Sequence, residues 1–467
     1  MVDATAPAAP AAAPPEGKRL SRMNQIGFGV GGFGIALVYI MIGQLLFYFY
    51  TEFYGLTPAA AGGIIAIATF WDALVDPIMA WIVARTKTSI GRYRPYLIYG
   101  SLPMSLVFVS MFWRPDVAWI EAGALALITH MLFRTAYQVV YMPYTAMVTQ
   151  LSRDADERSD LEAWRAWFLA VGILFVSFFG LTLVDVFGQG DDRRGFLWLA
   201  LLIGLLSAAS ITFTGLVTKE ADARVIEEND TTSPLTAIKH LARNRAFLVA
   251  VAGSMLCGIA ITMFNKVMVD FFHYDLGDRS AARFALSASS AAGLIVSPFW
   301  AYLARKTGKR VAWTSGAALA ATAAALAFFL DPRSVPVLCA IFFFFGAGLQ
   351  AYLIIQFAAA ADSVDYGEWK TGQRVEALGF GVIVFANKTS LAIGAALVGY
   401  MLTWFGFVPG QTQSPETLDG MRATMLLTPA FTLTLCVIVV SFFPVSTALH
   451  RRIQRELDER RAAQRQA

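Results

Sequence analysis

Asp72 and Asp76 stand four residues apart inside an apolar run, separated only by Ala73, Leu74 and Val75. On a helix this spacing sets both carboxylates on one face, one turn apart. Facing a cavity, they can share a hard cation through oxygen ligands, or hold a proton because like charges raise each other's proton affinity. The competing reading for Asp76 is a cap on, or an ion pair with, the basic turn that follows. Lys388, beside Asn387 and Thr389 in another apolar run, requires an anion. The aspartate pair is its natural partner, which makes the ammonium a counterion that a bound cation displaces. The alternative is a lysine that snorkels to an interface.

Further charges lie in apolar surroundings. Lys266 and Asp270 have i,i+4 spacing and either neutralise each other or face a substrate. Arg134 and Arg165 add positive charge in the fourth and fifth segments, and Arg165 equally suits a structural role with Asp154, Asp156, Glu157 or Asp160. Tyr39, Tyr137, Tyr141 and Tyr144 offer faces on which a sugar stacks, although such residues also form interfacial belts. Tyr141 and Tyr144 flank Pro143, which opens a backbone bond in mid-helix and points to a cavity-lining bend. The cysteines Cys257, Cys339 and Cys436 read as core thiols, and His130, His240, His273 and His450 do not cluster, so no metal or hydrolase signature emerges.

Positioning these groups requires a membrane. Of 467 residues, 57% are hydrophobic and 15% charged, with a net charge of +4 carried by loops, which excludes a soluble enzyme with one anchor and gives no basic surface for nucleic acid. About twelve segments are long and apolar enough to span a bilayer. They fall near 25–51, 59–85, 93–113, 117–149, 162–186, 195–217, 246–272, 282–304, 311–330, 335–361, 375–405 and 420–446. The expected fold is an all-α membrane protein of twelve transmembrane helices in two six-helix bundles. Its expected parts are a disordered cytoplasmic tail (1–22), an N-terminal bundle (23–218), a cytoplasmic linker (219–245), a C-terminal bundle (246–447) and a charged cytoplasmic tail (448–467). Arginine and lysine gather at Lys18–Arg22, Arg85–Arg94, Lys219–Arg245, Arg305–Arg310 and Arg451–Arg465, while Thr51–Leu56 and Thr412–Leu418 have none, so both termini read as cytoplasmic. An internal repeat supports two parallel halves: Pro77-Ile-Met-Ala-Trp-Ile-Val-Ala-Arg85 is echoed by Pro298-Phe-Trp-Ala-Tyr-Leu-Ala-Arg305, each followed by a Gly in a basic turn.

The run from Trp71 through Asp72, Asp76, Pro77 and Trp81 into Gly91-Arg92-Tyr93-Arg94-Pro95 resembles the helix-2 signature of the glycoside-pentoside-hexuronide:cation symporters, the melibiose-permease-like branch of the major facilitator superfamily. Met142-Pro143-Tyr144, Asp156-Glu157-Arg158 with Arg165, and Asp362-Ser-Val-Asp365-Tyr366-Gly367-Glu368 with Lys388 extend the resemblance over nearly the whole chain. It implies the major facilitator fold, alternating access, and symport of a glycoside with Na+, Li+ or H+. It also implies that Asp72 and Asp76 hold the cation beside Lys388.

Departures from the family pattern narrow this. The glycine-rich stretch Gly27–Gly34 carries no acid where the melibiose-type pattern has a sugar-binding aspartate, and Tyr141 and Thr145 replace an acid and a tryptophan around Pro143, so galactoside recognition does not transfer. Val75 stands where the sodium-using pattern has an amide, which favours H+ over Na+, with Gln138 and Thr135 as remaining oxygen donors. With Arg134, Lys266 and Lys388 retained, the cavity suits an anionic glycoside such as a uronide; a lysolipid-like substrate stays open, because a relative in that family moves lysophospholipids. The expected mechanism neutralises Asp72 and Asp76, frees Lys388, and rocks the bundles past a cytoplasmic gate of Arg92, Arg94, Asp156, Arg158, Arg165, Asp365 and Glu368, with solvated loop charges as the alternative reading of the gate. No resident cofactor is expected, only a coupling ion, H+ or Na+. The expected setting is a monomer in the inner (plasma) membrane, meeting a small-molecule substrate and membrane lipid but no nucleic acid. A non-transporting membrane sensor is the reading from another class, disfavoured because no signalling domain is appended, and a membrane enzyme lacks a nucleophile/base set.

Overall fold

The structure, a computed structural model, describes residues 20–115, 121–152, 154–220 and 234–466. Most of the predicted tail, residues 1–19, and residues 221–233 of the predicted linker lie outside the described residues.

Twelve membrane-length segments are numbered in chain order. The first half holds α1 (Arg22–Glu52), α2 (Pro58–Arg85), α3 (Arg94–Ser110), α4 (Ala122–Ala146), α5 (Ala155–Gly188) and α6 (Asp192–Val217). The second half holds α7 (Arg245–Asp270), α8 (Ala282–Thr307), α9 (Lys309–Leu330), α10 (Val335–Thr371), α11 (Glu376–Trp404) and α12. The last is built of Pro415–Arg422 and Thr428–Ser441 joined by a π turn, Ala423–Leu427. Ten of these helices are apolar and long enough to cross a membrane; α3, at 17 residues, and α4, which carries His130 and Arg134, complete the expected twelve. Polar side chains start several of them: Ser21, Thr57, Asp154, Asp191 and Asn244 each accept a hydrogen bond from a first-turn N–H. Helix α5 begins seven residues before its predicted span and α10 runs ten past it, because an apolar count stops at the first charges while a capped helix continues through them.

The halves repeat one packing scheme. In the first, α1 packs on α5 and α6, α4 on α2 and α3, and α3 on α6; in the second, α7 packs on α11 and α12, α10 on α8 and α9, and α9 on α12. Between halves α2 meets α11, α5 meets α8, and α1 meets α7, the arrangement that a two-fold relation requires. At the α2–α11 crossing a Cβ on Gly62 would lie 3.0 Å from the Gly399 Cα, so two glycines let the backbones touch. The first and last described residues lie toward the same face, called here the termini face. There Leu20 N–H donates to Glu157, and the C-terminal helix Thr447–Gln466 is tied to α10 through Trp369 and Glu456.

Candidate functional site

Helix α2 brings in both aspartates, and the structure seats Lys388 of α11 between them. Its Nζ lies 2.9 Å from Asp72 Oδ2 and 2.6 Å from Asp76 Oδ2, an ion pair that joins the two halves. Asp76 therefore neither caps a helix nor pairs with the basic turn. Asp72 is 3% exposed and fully engaged: Gln138 Nε2 donates to its Oδ1 at 2.8 Å, and Arg134 Nη1 stands 3.8 Å from its Oδ2. The other oxygen of Asp76, Oδ1, is buried without a hydrogen-bond partner.

Helix α4 supplies its share by periodicity, since His130, Arg134 and Gln138 recur every fourth residue and share one face. Arg134 donates to His130 Nε2 at 3.3 Å and to the Thr69 hydroxyl of α2 at 3.4 Å. The second half adds an amide wall: Tyr352 OH donates to Asn387 Oδ1 at 3.1 Å, and Asn387 Nδ2 donates to Gln356 Oε1 at 2.8 Å. Asp72, Asp76, Lys388 and Arg134 carry two negative and two positive charges, so the cluster is neutral as it stands.

Three aromatic rings stack in a row. Tyr39 and Tyr137 stack with centroids 6.2 Å apart, and Tyr137 stacks on Tyr141 at 5.1 Å. Tyr39 and Tyr141 keep 41% and 37% of their surface open, which leaves ring faces free for a ligand. Tyr144 does not share this position, and that corrects its predicted role: its ring stacks on Phe28 at 5.0 Å and its OH donates to the Phe28 carbonyl, fixing α4 to the glycine-rich stretch of α1. Thr135, an expected oxygen donor, instead accepts a hydrogen bond from Trp71 Nε1 at 3.0 Å. Lys266 is 5% exposed and Asp270 is wholly buried, yet no hydrogen bond joins them, so the expected self-neutralising pair is not formed. Arg165 pairs with Glu162 at 2.5 Å and not with the acids named from sequence.

The predicted gate residues other than Arg165, which lies deeper in α5, are at the termini face, and among the described residues each bonds within its own half. The backbone N–H groups of Arg92 and Arg94 donate to Glu220, and Arg94 Nε donates to the Gly215 carbonyl. Asp156 and Arg158 lie in the first turn of α5, held through their N–H groups by Asp154. Asp365 and Glu368 bind Arg374 at 3.0 and 2.7 Å, and Glu368 also binds Arg461. Partial burial works against the Arg374 charge, but its bonds to Glu368 and Glu376 outweigh that and hold the guanidinium above its usual range. The latch that these residues were expected to form between halves is therefore open in this conformation.

Closure lies on the opposite face, and there sequence reasoning missed the residues. Tyr48 OH meets His273 Nδ1 at 2.9 Å, Tyr274 OH donates to Glu52 at 2.6 Å, and Ala59 N–H donates to Thr403. Arg279 binds both Asp185 and Asp192 of the first half, and Arg283 donates to Thr182. Among the described residues, every polar contact between halves lies at the Lys388 cluster or beyond it toward this face. The only signal in the sequence was charge at helix ends, which is indistinguishable there from solvated loop charge.

The profile of the family described as MFS/sugar transport protein matches residues 27–447. The Inner membrane symporter YicJ of Escherichia coli is 26% identical over 90% of this chain and 91% of its own. The Glucuronide carrier protein homolog of the same organism is 25% identical over 96% and 98% of the two chains. The Isoprimeverose transporter of Lactiplantibacillus pentosus is 25% identical over 90% and 88%. Among solved structures, a proton-dependent oligopeptide transporter superposes with a TM-score of 0.67 at 13% identity, covering 92% of this chain and 99% of its own. A bacterial homologue of the lysosomal transporter Spinster reaches 0.66 at 13%, covering 93% and 96%; both establish the fold.

Proposed function

The chain belongs to the MFS/sugar transport protein family, and from that premise we propose that it is a secondary transporter carrying a glycoside in symport with a cation. One observation carries the reading: the Lys388 ammonium is held 2.9 and 2.6 Å from two carboxylates of the other half, for which a coupling ion would compete. A proton or Na+ at Asp72 and Asp76, with Gln138 as neighbour, cancels the charge that holds Lys388. The released ammonium and Arg134 then present net positive charge to the substrate, beneath the Tyr39, Tyr137 and Tyr141 rings. This charge balance favours an anionic sugar such as a uronide. Its binding tightens cation binding by the same factor, because linkage is reciprocal.

The cycle is alternating access in the inner membrane, with both termini cytoplasmic. The conformation described is open toward the cytoplasm, and the gate around Arg92, Arg94, Asp156, Arg158, Arg165, Asp365 and Glu368 closes in the opposite state. The protein works as a monomer, with H+ favoured over Na+ by Val75 beside Asp76.

The test is uptake into proteoliposomes under imposed H+ or Na+ gradients, with labelled uronides, neutral glycosides and lysolipids compared. Uptake driven by one gradient, stronger for the uronide and lost in Asp72→Asn, is the expected result. Gradient-independent exchange overturns the cation site, and equal competition by a neutral disaccharide overturns the anionic preference.

A further inference from the structure

Helix α7 ends on Asp270, a carboxyl of zero exposure whose two oxygens both lack a hydrogen-bond partner. An ionised carboxylate in such a place bears a desolvation cost of several kcal/mol with nothing to offset it. A group so placed is neutral, which for an aspartate means protonated. We propose that Asp270 is a proton-binding site separate from the Asp72–Asp76–Lys388 cluster, occupied when the face opposite the termini is closed and emptied when that face opens.

Among the described residues no cation is bonded to this carboxyl in place of the proton. Lys266, one turn earlier on the same helix, makes no hydrogen bond to it. On α1, Glu52 adds a second negative charge and is bonded to Tyr274, while Tyr48 is bonded to His273. Arg279, at the start of the next helical segment, is committed to Asp185 and Asp192. On the α12 side, Arg422 is committed to Asp331, Asp275 and Asp419, and the π turn Ala423–Leu427 brings no titratable side chain.

Position links this proton to the gate. Directly after Asp270 the chain enters the π turn Phe271–Asp275, whose His273 and Tyr274 make the closing contacts with Tyr48 and Glu52. Parting of that face separates these groups and admits water to Asp270, which then ionises. Closure must restore the proton. Because the closed state binds one proton more than the open state, acid favours closure, by up to about tenfold in the closed-to-open ratio per pH unit where the carboxyl is ionised in the open state and still protonated in the closed state. This holds whichever ion drives uptake and does not depend on the substrate.

The experiment uses the full chain in lipid nanodiscs. Infrared spectra across a pH series should show the C=O band of a buried protonated carboxyl in the wild-type protein and in Asp72→Asn, but not in Asp270→Asn. In Asp270→Glu the band should move instead of vanishing, which keeps the assignment testable if the amide variant folds poorly. In parallel, spin labels at Glu121→Cys and Thr412→Cys, in a background with Cys257, Cys339 and Cys436 replaced, report separation of that face. Acid should shorten the distance in the wild type and leave Asp270→Asn unchanged. A carboxyl band untouched by both Asp270 substitutions, or a distance that responds to pH equally with and without the Asp270 carboxyl, overturns the proposal.

Discussion

A lysine between two aspartates is stable only as a set. Removing one partner of a buried pair typically costs ~3–5 kcal/mol because the remaining charge is stranded. Lys388→Gln should therefore lower the thermal stability of the detergent-solubilised protein markedly, and adding Asp76→Asn to it should restore part of the loss. A double-mutant cycle should give a coupling of roughly 1–3 kcal/mol; strict additivity would remove the pair from the energetics. Tyr141 makes the opposite prediction. Its partly open ring stacks only on Tyr137, so Tyr141→Ala should weaken substrate affinity, read as the KM of uptake, while leaving the melting temperature within a few degrees.

Helix α2 supplied most of what could be read in advance, since one apolar run interrupted by two acids at i,i+4 sets both on one face and calls for a cationic partner. Lys388 was legible for the same reason: an uncompensated charge in a long apolar run demands a partner elsewhere. The bundle count followed from span length, and the Pro77 and Pro298 echoes now sit inside equivalent helices, α2 and α8, of the two halves. What sequence could not carry was pairing across distance. Nothing local distinguishes Arg279, bound to Asp185 and Asp192, from a solvated arginine, nor Tyr144, which braces α1, from a ring that faces a ligand. Gly62 and Gly399 belong to the same class, because their value is visible only where α2 and α11 cross. At that crossing a Cβ on Gly62 would stand 2.5 Å from the Ala395 carbonyl oxygen. Gly62→Val should consequently hold this face apart, and a membrane-impermeant thiol reagent should label Thr412→Cys faster in that background than in the glycine parent.

At the scale of the whole molecule, the two halves meet through few polar ties, so each tie weights the balance between open and closed states. Arg279→Ala removes the bridge to Asp185 and Asp192; these are partly solvated groups, for which about 1 kcal/mol is the upper range, or roughly fivefold in population. Distance distributions between labels on the two halves should show that shift toward the state open opposite the termini, and high salt should reduce the difference between wild type and variant. On the termini face, by contrast, each half bonds its charges internally among the described residues. Helix α10 has 37 residues, which at ~1.5 Å each is about 55 Å, well beyond a hydrocarbon layer of about 30 Å. Its last turns form a mast, to which Glu456 and Arg461 lash the C-terminal helix. A fluorescent domain fused after Ala467 would ride on that mast, and its changing orientation would report the rocking of one half in single molecules without a label inside the transport path.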